Sequence, residues 1–122
     1  MSSTRPISRS SAEHYHWGDA CDGWHLVRDP QLSVIEERMP PATEEQRHRH
    51  ARARQFFFVL AGELTMDVHG LRHRLPARTG FEIPPGVAHQ VRNDSDSDVE
   101  FLVVSAPPSH GDRVPDEIHA DL

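Results

Sequence analysis

The feature that most constrains this fold is an absence of helical periodicity. No run of 12 residues repeats its apolar positions as one face of a helix would. Short apolar runs recur instead, divided by Gly and Pro signals. Leu32 to Met39 closes at Pro40-Pro41, and Gln55 to Leu60 is dense in aromatic and branched residues. Leu64, Met66 and Val68 alternate with Glu63, Thr65 and Asp67, the period of a half-buried strand. His69-Gly70 suits a two-residue hairpin loop, with a return strand through Leu71, His73 and Leu75. Pro84-Pro85-Gly86 marks a tight turn, and Val99 to Val104 is the last strong strand. The pattern predicts an all-β barrel or sandwich.

The length of 122 residues suits one domain. We divide it into a polar tail over residues 1–12, a segment over 13–31 packing on the barrel, the barrel over 32–106, and a C-terminal tail over 107–122. The last residues, PDEIHADL, suit one helical turn, with Pro115 at its first position. The single cysteine, Cys21, excludes an internal disulfide. No apolar run reads as a signal peptide or membrane span, so a cytoplasmic protein without membrane contact is expected. The net charge of −6 argues against nucleic-acid binding. All 13 basic residues are arginine. Arg47, Arg49, Arg52 and Arg54 form a cluster that reads either as a solvated loop or as a positive rim for an anionic substrate.

His48 and His50 stand two apart, so on a strand they share a face. The Ala51–Arg54 stretch can turn the chain, so that Gln55 opens the next strand beside them. His89 follows the Pro84-Pro85-Gly86 turn. Three imidazoles and one oxygen donor make a plausible ligand set for one divalent ion, with Zn, Ni, Fe and Mn unresolved. Phe57 and Val59 share the face of Gln55 and should line the cavity, whereas Phe56, Phe58 and Leu60 face outward and need a cover. A second subunit or the N-terminal segment could supply it, and a homodimer is expected. His73 and Glu82 are the candidate proton-moving residues, with Glu100 as a further base. Trp24 and His25 could form a lid, although His25 reads first as a surface residue with His14, His16, His110 and His119. Met39 and Met66 read as core.

The run HRHARARQFFFVLAG, His48 to Gly62, resembles the first cupin motif: HxH, an acid or Gln, then Gly. The run GFEIPPGVAHQVRN, Gly80 to Asn93, resembles the second: PxG, His, then Asn. The chain thus resembles small single-domain cupins of the RmlC-like, type-2 conserved-barrel group. That resemblance implies a double-stranded β-helix, or jelly-roll barrel, over about residues 32–106, and a metal held by His48, His50, Gln55 and His89. Two departures stand out. Gln55 occupies the slot usually held by Glu, and Arg78-Thr79 stand where Gly-Asp commonly opens the second motif.

Gln offers a neutral carbonyl oxygen, so the set leaves the +2 charge of an ion uncompensated and favours Lewis-acid chemistry. Cupins with Gln in this slot include small proteins that open unsaturated uronate sugars, and some polyketide cyclases look similar. The sugar-opening proteins add a pocket acid and a basic residue on or after the last strand. Here that strand, EFLVVSA, presents apolar inward slots with Val104 among them, so that acid is not expected to carry over. Three functions stay open: a metal-dependent isomerase, lyase or cyclase acting on a small oxygenated molecule, whether anionic or neutral; an Fe(II) dioxygenase; and a non-catalytic module binding or sensing a small molecule.

Overall fold

A computed structural model describes residues 4–109 and 111–115. Twelve strands form: β1 (Glu13–Trp17), β2 (Cys21–Asp29), β3 (Leu32–Met39), β4 (Thr43–Glu44), β5 (His48–His50), β6 (Arg54–Ala61), β7 (Glu63–Val68), β8 (Leu71–Pro76), β9 (Gly80–Ile83), β10 (His89–Asn93), β11 (Val99–Ala106) and β12 (Arg113–Pro115). They pair into two sheets, ordered β1-β2-β3-β11-β6-β9 and β12-β5-β10-β7-β8, with β4 added to β10. Every pairing is antiparallel. The all-β expectation holds. Each sheet runs open from edge to edge, so the strand pairing does not itself form a closed barrel. No helix among the described residues is long and apolar enough to cross a membrane. The helical turn expected from Pro115 onward lies largely outside the described residues.

Residues of both sheets share one core. Phe57, Val59, Val99, Phe101 and Val103 of the first meet Leu64, Met66, Leu75 and Val91 of the second. Met39 and Met66 are buried in it, as the sequence suggests. Inward positions on β11 are Val99, Phe101, Val103 and Ser105. Val104 therefore faces outward, contrary to the expected parity, and Val103 takes the cavity side. Pairing fixes this: Ser105 sits opposite Gln55 and Val103 opposite Phe57, both inward on β6.

The 13–31 segment adds two strands to the first sheet. Tyr15, Gly23 and Glu37 lie in one row across β1, β2 and β3. A Cβ on Gly23 would come within 2.2 Å of the Tyr15 ring, so only glycine lets that ring lie over β2. The hydroxyl thereby reaches Glu37 and donates to Oε2 at 3.1 Å. Beyond β11 the chain returns as β12 and pairs with β5, Arg113 opposite His50. The Asp112 carboxylate fastens this return by accepting from the amides of Arg52, at 2.9 Å, and Ala53, at 2.8 Å.

Candidate metal centre

His48 and His50 project inward from β5, and His89 pairs directly opposite His48 on β10. The Pro84-Pro85-Gly86 turn sets that register: Gly86 adopts φ +82° and donates its amide to the His50 carbonyl at 2.7 Å. The three histidines each bring one ring nitrogen within 4.8 Å of the others. Ring centroids lie 4.8 Å apart for His48–His50 and 4.6 Å for His48–His89.

The hydrogen bonds fix which nitrogens can ligate. His48 Nδ1 donates to the Gln46 carbonyl at 2.8 Å, and His89 Nδ1 to the Val87 carbonyl at 3.0 Å. Each ring then carries its lone pair on Nε2, the arrangement that neutral metal-ligating imidazoles use. Gln55 Nε2 donates to Ser105 Oγ at 3.1 Å, which orients the amide. His50 Nδ1, Gln55 Oε1 and His89 Nε2 are buried without a hydrogen-bond partner. Gln55 Oε1 and His89 Nε2 are orphaned acceptors, which cost stability unless a ligand satisfies them, and a cation is what such lone pairs bind. Burial holds all three rings neutral: it depresses His48 to about 3 and His89 to about 4, and lowers His50 against the opposing charge of Asp112. Neutral imidazole is the ligating form. The histidine set therefore fits one divalent ion.

His48 and His50 line a cavity of about 290 Å³ whose walls also include Gln55, Phe57, Val103, Tyr15, Trp17, Glu37 and Glu45. Both carboxyls are half-buried, with their remaining surface lining the cavity. Burial raises Glu37 to about 7; burial and the neighbouring Glu37 charge raise Glu45 to about 8. Glu45 Oε1 lies 3.9 Å from His48 Nδ1. Arg113 lines the cavity from β12, exposed, with Nη2 donating to the Gln46 carbonyl at 3.3 Å.

The structure places the other expected residues elsewhere. Glu82 is exposed on the outer side of β9, ion-paired with Arg54. His73 is half-buried on β8, its ring 4.9 Å from that of Phe81. Neither lines the cavity, so neither is within reach to move a proton there. Glu100 faces outward beside Arg9. His25 is buried, not at the surface, with its ring 5.0 Å from Tyr15; Trp24 lies outside under the Arg9 guanidinium, so the two form no lid. His110 and His119 lie outside the described residues. Three of the four clustered arginines are ion-paired, Arg47 to Asp67, Arg52 to Asp112 and Arg54 to Glu82. Among the described residues, Arg113 brings positive charge to the cavity wall.

Two antiparallel sheets carrying an inward histidine cluster define a metal-binding β-protein of the cupin type. The cupin-domain family model matches residues 35–105, and the chain belongs to that family. It is 33% identical over 84 residues to the H2HPP isomerase of Bacillus subtilis, a match covering 68% of this chain and 35% of that protein. The chain thus matches about a third of that relative's length. Among solved structures, an RmlC-like cupin from Shewanella frigidimarina superposes with TM-score 0.79 at 21% identity, over 90% of this chain and 96% of that one. KdgF from Halomonas sp. gives 0.79's near equal, TM-score 0.77 at 15% identity, covering 85% and 95%. The polyketide cyclase RemF from Streptomyces resistomycificus gives 0.76 at 16%, covering 93% and 83%. These likenesses concern the fold.

Proposed function

We propose that this cupin is a metal-dependent isomerase, lyase or cyclase acting on a small oxygenated anion. The observation that carries the reading is one cavity bordered by His48 and His50 of the histidine cluster, by Gln55, and by two half-buried carboxyls of raised pKa. When bound, a divalent ion supplies Lewis-acid polarisation of a substrate oxygen. The protein supplies the rest. Arg113 attracts and orients the anionic end of the substrate at the cavity mouth. Glu37, near neutrality, can give or take a proton at Oε1 while Tyr15 holds Oε2. Phe57, Val103 and Trp17 exclude water from the reacting groups. The isomerase and cyclase among its relatives and structural neighbours support this class of chemistry.

The test is proton exchange. Protein loaded with Zn²⁺ or Ni²⁺ is incubated in D₂O with small 2-oxo acids and followed by proton NMR. The reading expects loss of signal beside the carbonyl, dependent on metal and reduced at least tenfold in Glu37→Gln. Binding without exchange supports a sensing module, and rapid O₂ uptake by iron-loaded protein supports a dioxygenase. Either result overturns the proposal. We further propose a homodimer formed through the outer face of the first sheet, where Val27 and Phe56 are exposed and Val34, Leu102, Val104 and Phe58 are half-buried.

A further inference from the structure

The geometry points to a second divalent-cation site, on the outer face of the β1–β2 hairpin, built from His14, His16 and Asp22. Strand alternation places His14 and His16 on one face of β1, and Asp22 pairs directly opposite His16 on β2. His14 Nε2 lies 2.8 Å from Asp22 Oδ1, and His16 Nδ1 lies 3.1 Å from the same oxygen. All three donor atoms fall within 4.8 Å of one another.

The two contacts to Oδ1 are close to the edges of a coordination shell. Metal–nitrogen and metal–oxygen bonds of about 2.0–2.2 Å put neighbouring ligand atoms roughly 2.9–3.5 Å apart. An ion can therefore take the place of these two contacts to Oδ1, with the rings closing around it. Asp22 is already oriented for it, since Arg38 Nε donates to Oδ2 at 2.8 Å and Nη2 reaches the same oxygen at 2.5 Å. That leaves Oδ1 to the histidines, as an outer hydrogen-bond partner commonly orients a ligating carboxylate. The His16 side chain is 77% exposed, so water can complete the shell. Two imidazoles with one carboxylate oxygen select a first-row ion such as Zn²⁺, Ni²⁺ or Cu²⁺ over Mg²⁺ or Ca²⁺. Tyr15 and Trp17, interleaved with these histidines on β1, line the cavity. An ion here would clamp the strand that carries part of the cavity wall.

Trp24 offers a local reporter, with its ring 5.2 Å from that of His14. Trp17→Phe leaves Trp24 as the sole indole, because the chain has two tryptophans. Untagged, chelator-stripped protein in that background is titrated with Zn²⁺ by calorimetry and with Ni²⁺ by fluorescence. The His48→Ala/His50→Ala variant should still take up one Zn²⁺ at the outer site, and Ni²⁺ should quench its Trp24. Adding His14→Gln and His16→Gln should weaken that Zn²⁺ binding at least tenfold and abolish the quenching. Both residues lie at the surface, so circular dichroism should be unchanged. Equal Zn²⁺ titrations with and without the outer histidines, or a Trp24 signal unmoved by saturating Ni²⁺, would overturn the site and leave a hydrogen-bonded triad only.

Discussion

Arg78 illustrates how one residue can carry a conformation suited to another. It adopts φ +71° while its amide donates to the Val59 carbonyl at 2.8 Å. The second cupin motif, which this segment resembles, commonly has glycine at this point, and the backbone retains the left-handed turn without it. Such a conformation costs a side-chain-bearing residue roughly 1–2 kcal/mol. Arg78→Gly should therefore stabilise the protein by about 0.5–1 kcal/mol after the greater unfolded-state freedom of glycine is counted. Denaturant unfolding checks this, and a loss of stability would contradict it. The titratable groups around the cavity and histidine cluster give a second prediction. His48 and His89 titrate near 3 and 4 in the fold, below the ordinary 6.5, so the unfolded chain binds more protons in that interval. Their stabilising contribution is full above about 6.5 and lost as pH falls through 4 and 3. Glu37 and Glu45, at about 7 and 8, act oppositely: their contribution is full below about 4.5 and lost as pH rises through 8. Metal-free protein should be most stable between about pH 4.5 and 6.5. The alkaline decline should flatten in Glu37→Gln/Glu45→Gln. A denaturation midpoint that rises steadily to pH 8 in the parent would be the contrary result.

The β1–β2–β3 row shows what strand order adds to local pattern. Tyr15 reaches Glu37 because β2 offers only Gly23 between them. Gly23→Ala should displace the Tyr15 ring, break its hydrogen bond to Glu37 and destabilise the fold by about 1–3 kcal/mol. Tyr15→Phe, which keeps the ring and removes only the hydroxyl, should cost about 1 kcal/mol. If the two variants lost equal stability, the close approach at Gly23 would be unimportant. The histidine motifs were legible in the sequence because HxH and the PPG turn fix side-chain direction over a few residues. The cavity acids were harder to see, since their partners come from distant strands. A local signal for Glu37 did exist: Ser33, Ile35, Glu37 and Met39 share one face by alternation, and a carboxyl among inward residues is a site candidate. Arg113 had no such signal, because β12 joins β5 only through tertiary pairing anchored at Asp112. Val104 was misplaced by a single residue of parity, which reverses every side chain on a strand. Glu82 lies on the outer side of β9 and His73 against Phe81, directions that sheet order sets and short-range pattern leaves open.

At the scale of the whole molecule, the two sheets leave their outer surfaces unequal. Register aligns Val27, Val34, Val104 and Phe56 across β2, β3, β11 and β6, with Leu102 and Phe58 in the adjacent row. Light scattering at micromolar concentration should return the mass of two chains, and Phe56→Asp should shift it toward one. A monomer mass for the parent would contradict the dimer. The cavity lies on the other side of this sheet, so a dimer of this kind leaves Arg113 and the mouth open.

The central claim is that His48, His50, His89 and Gln55 hold one divalent ion at the wall of this cavity. Anomalous diffraction from crystals of untagged protein, collected at the absorption edge of the ion found by elemental analysis, tests it most directly. Comparison with His89→Ala completes the measurement. A peak is expected with imidazole nitrogens of His48, His50 and His89 at about 2.0–2.1 Å and Gln55 Oε1 at a slightly longer distance. The peak should be lost in His89→Ala, whose core remains folded and whose stability falls by about 2–4 kcal/mol at metal concentrations that saturate the parent. No cavity peak in metal-supplemented crystals of the parent, or an undiminished one in His89→Ala, would contradict the metal centre.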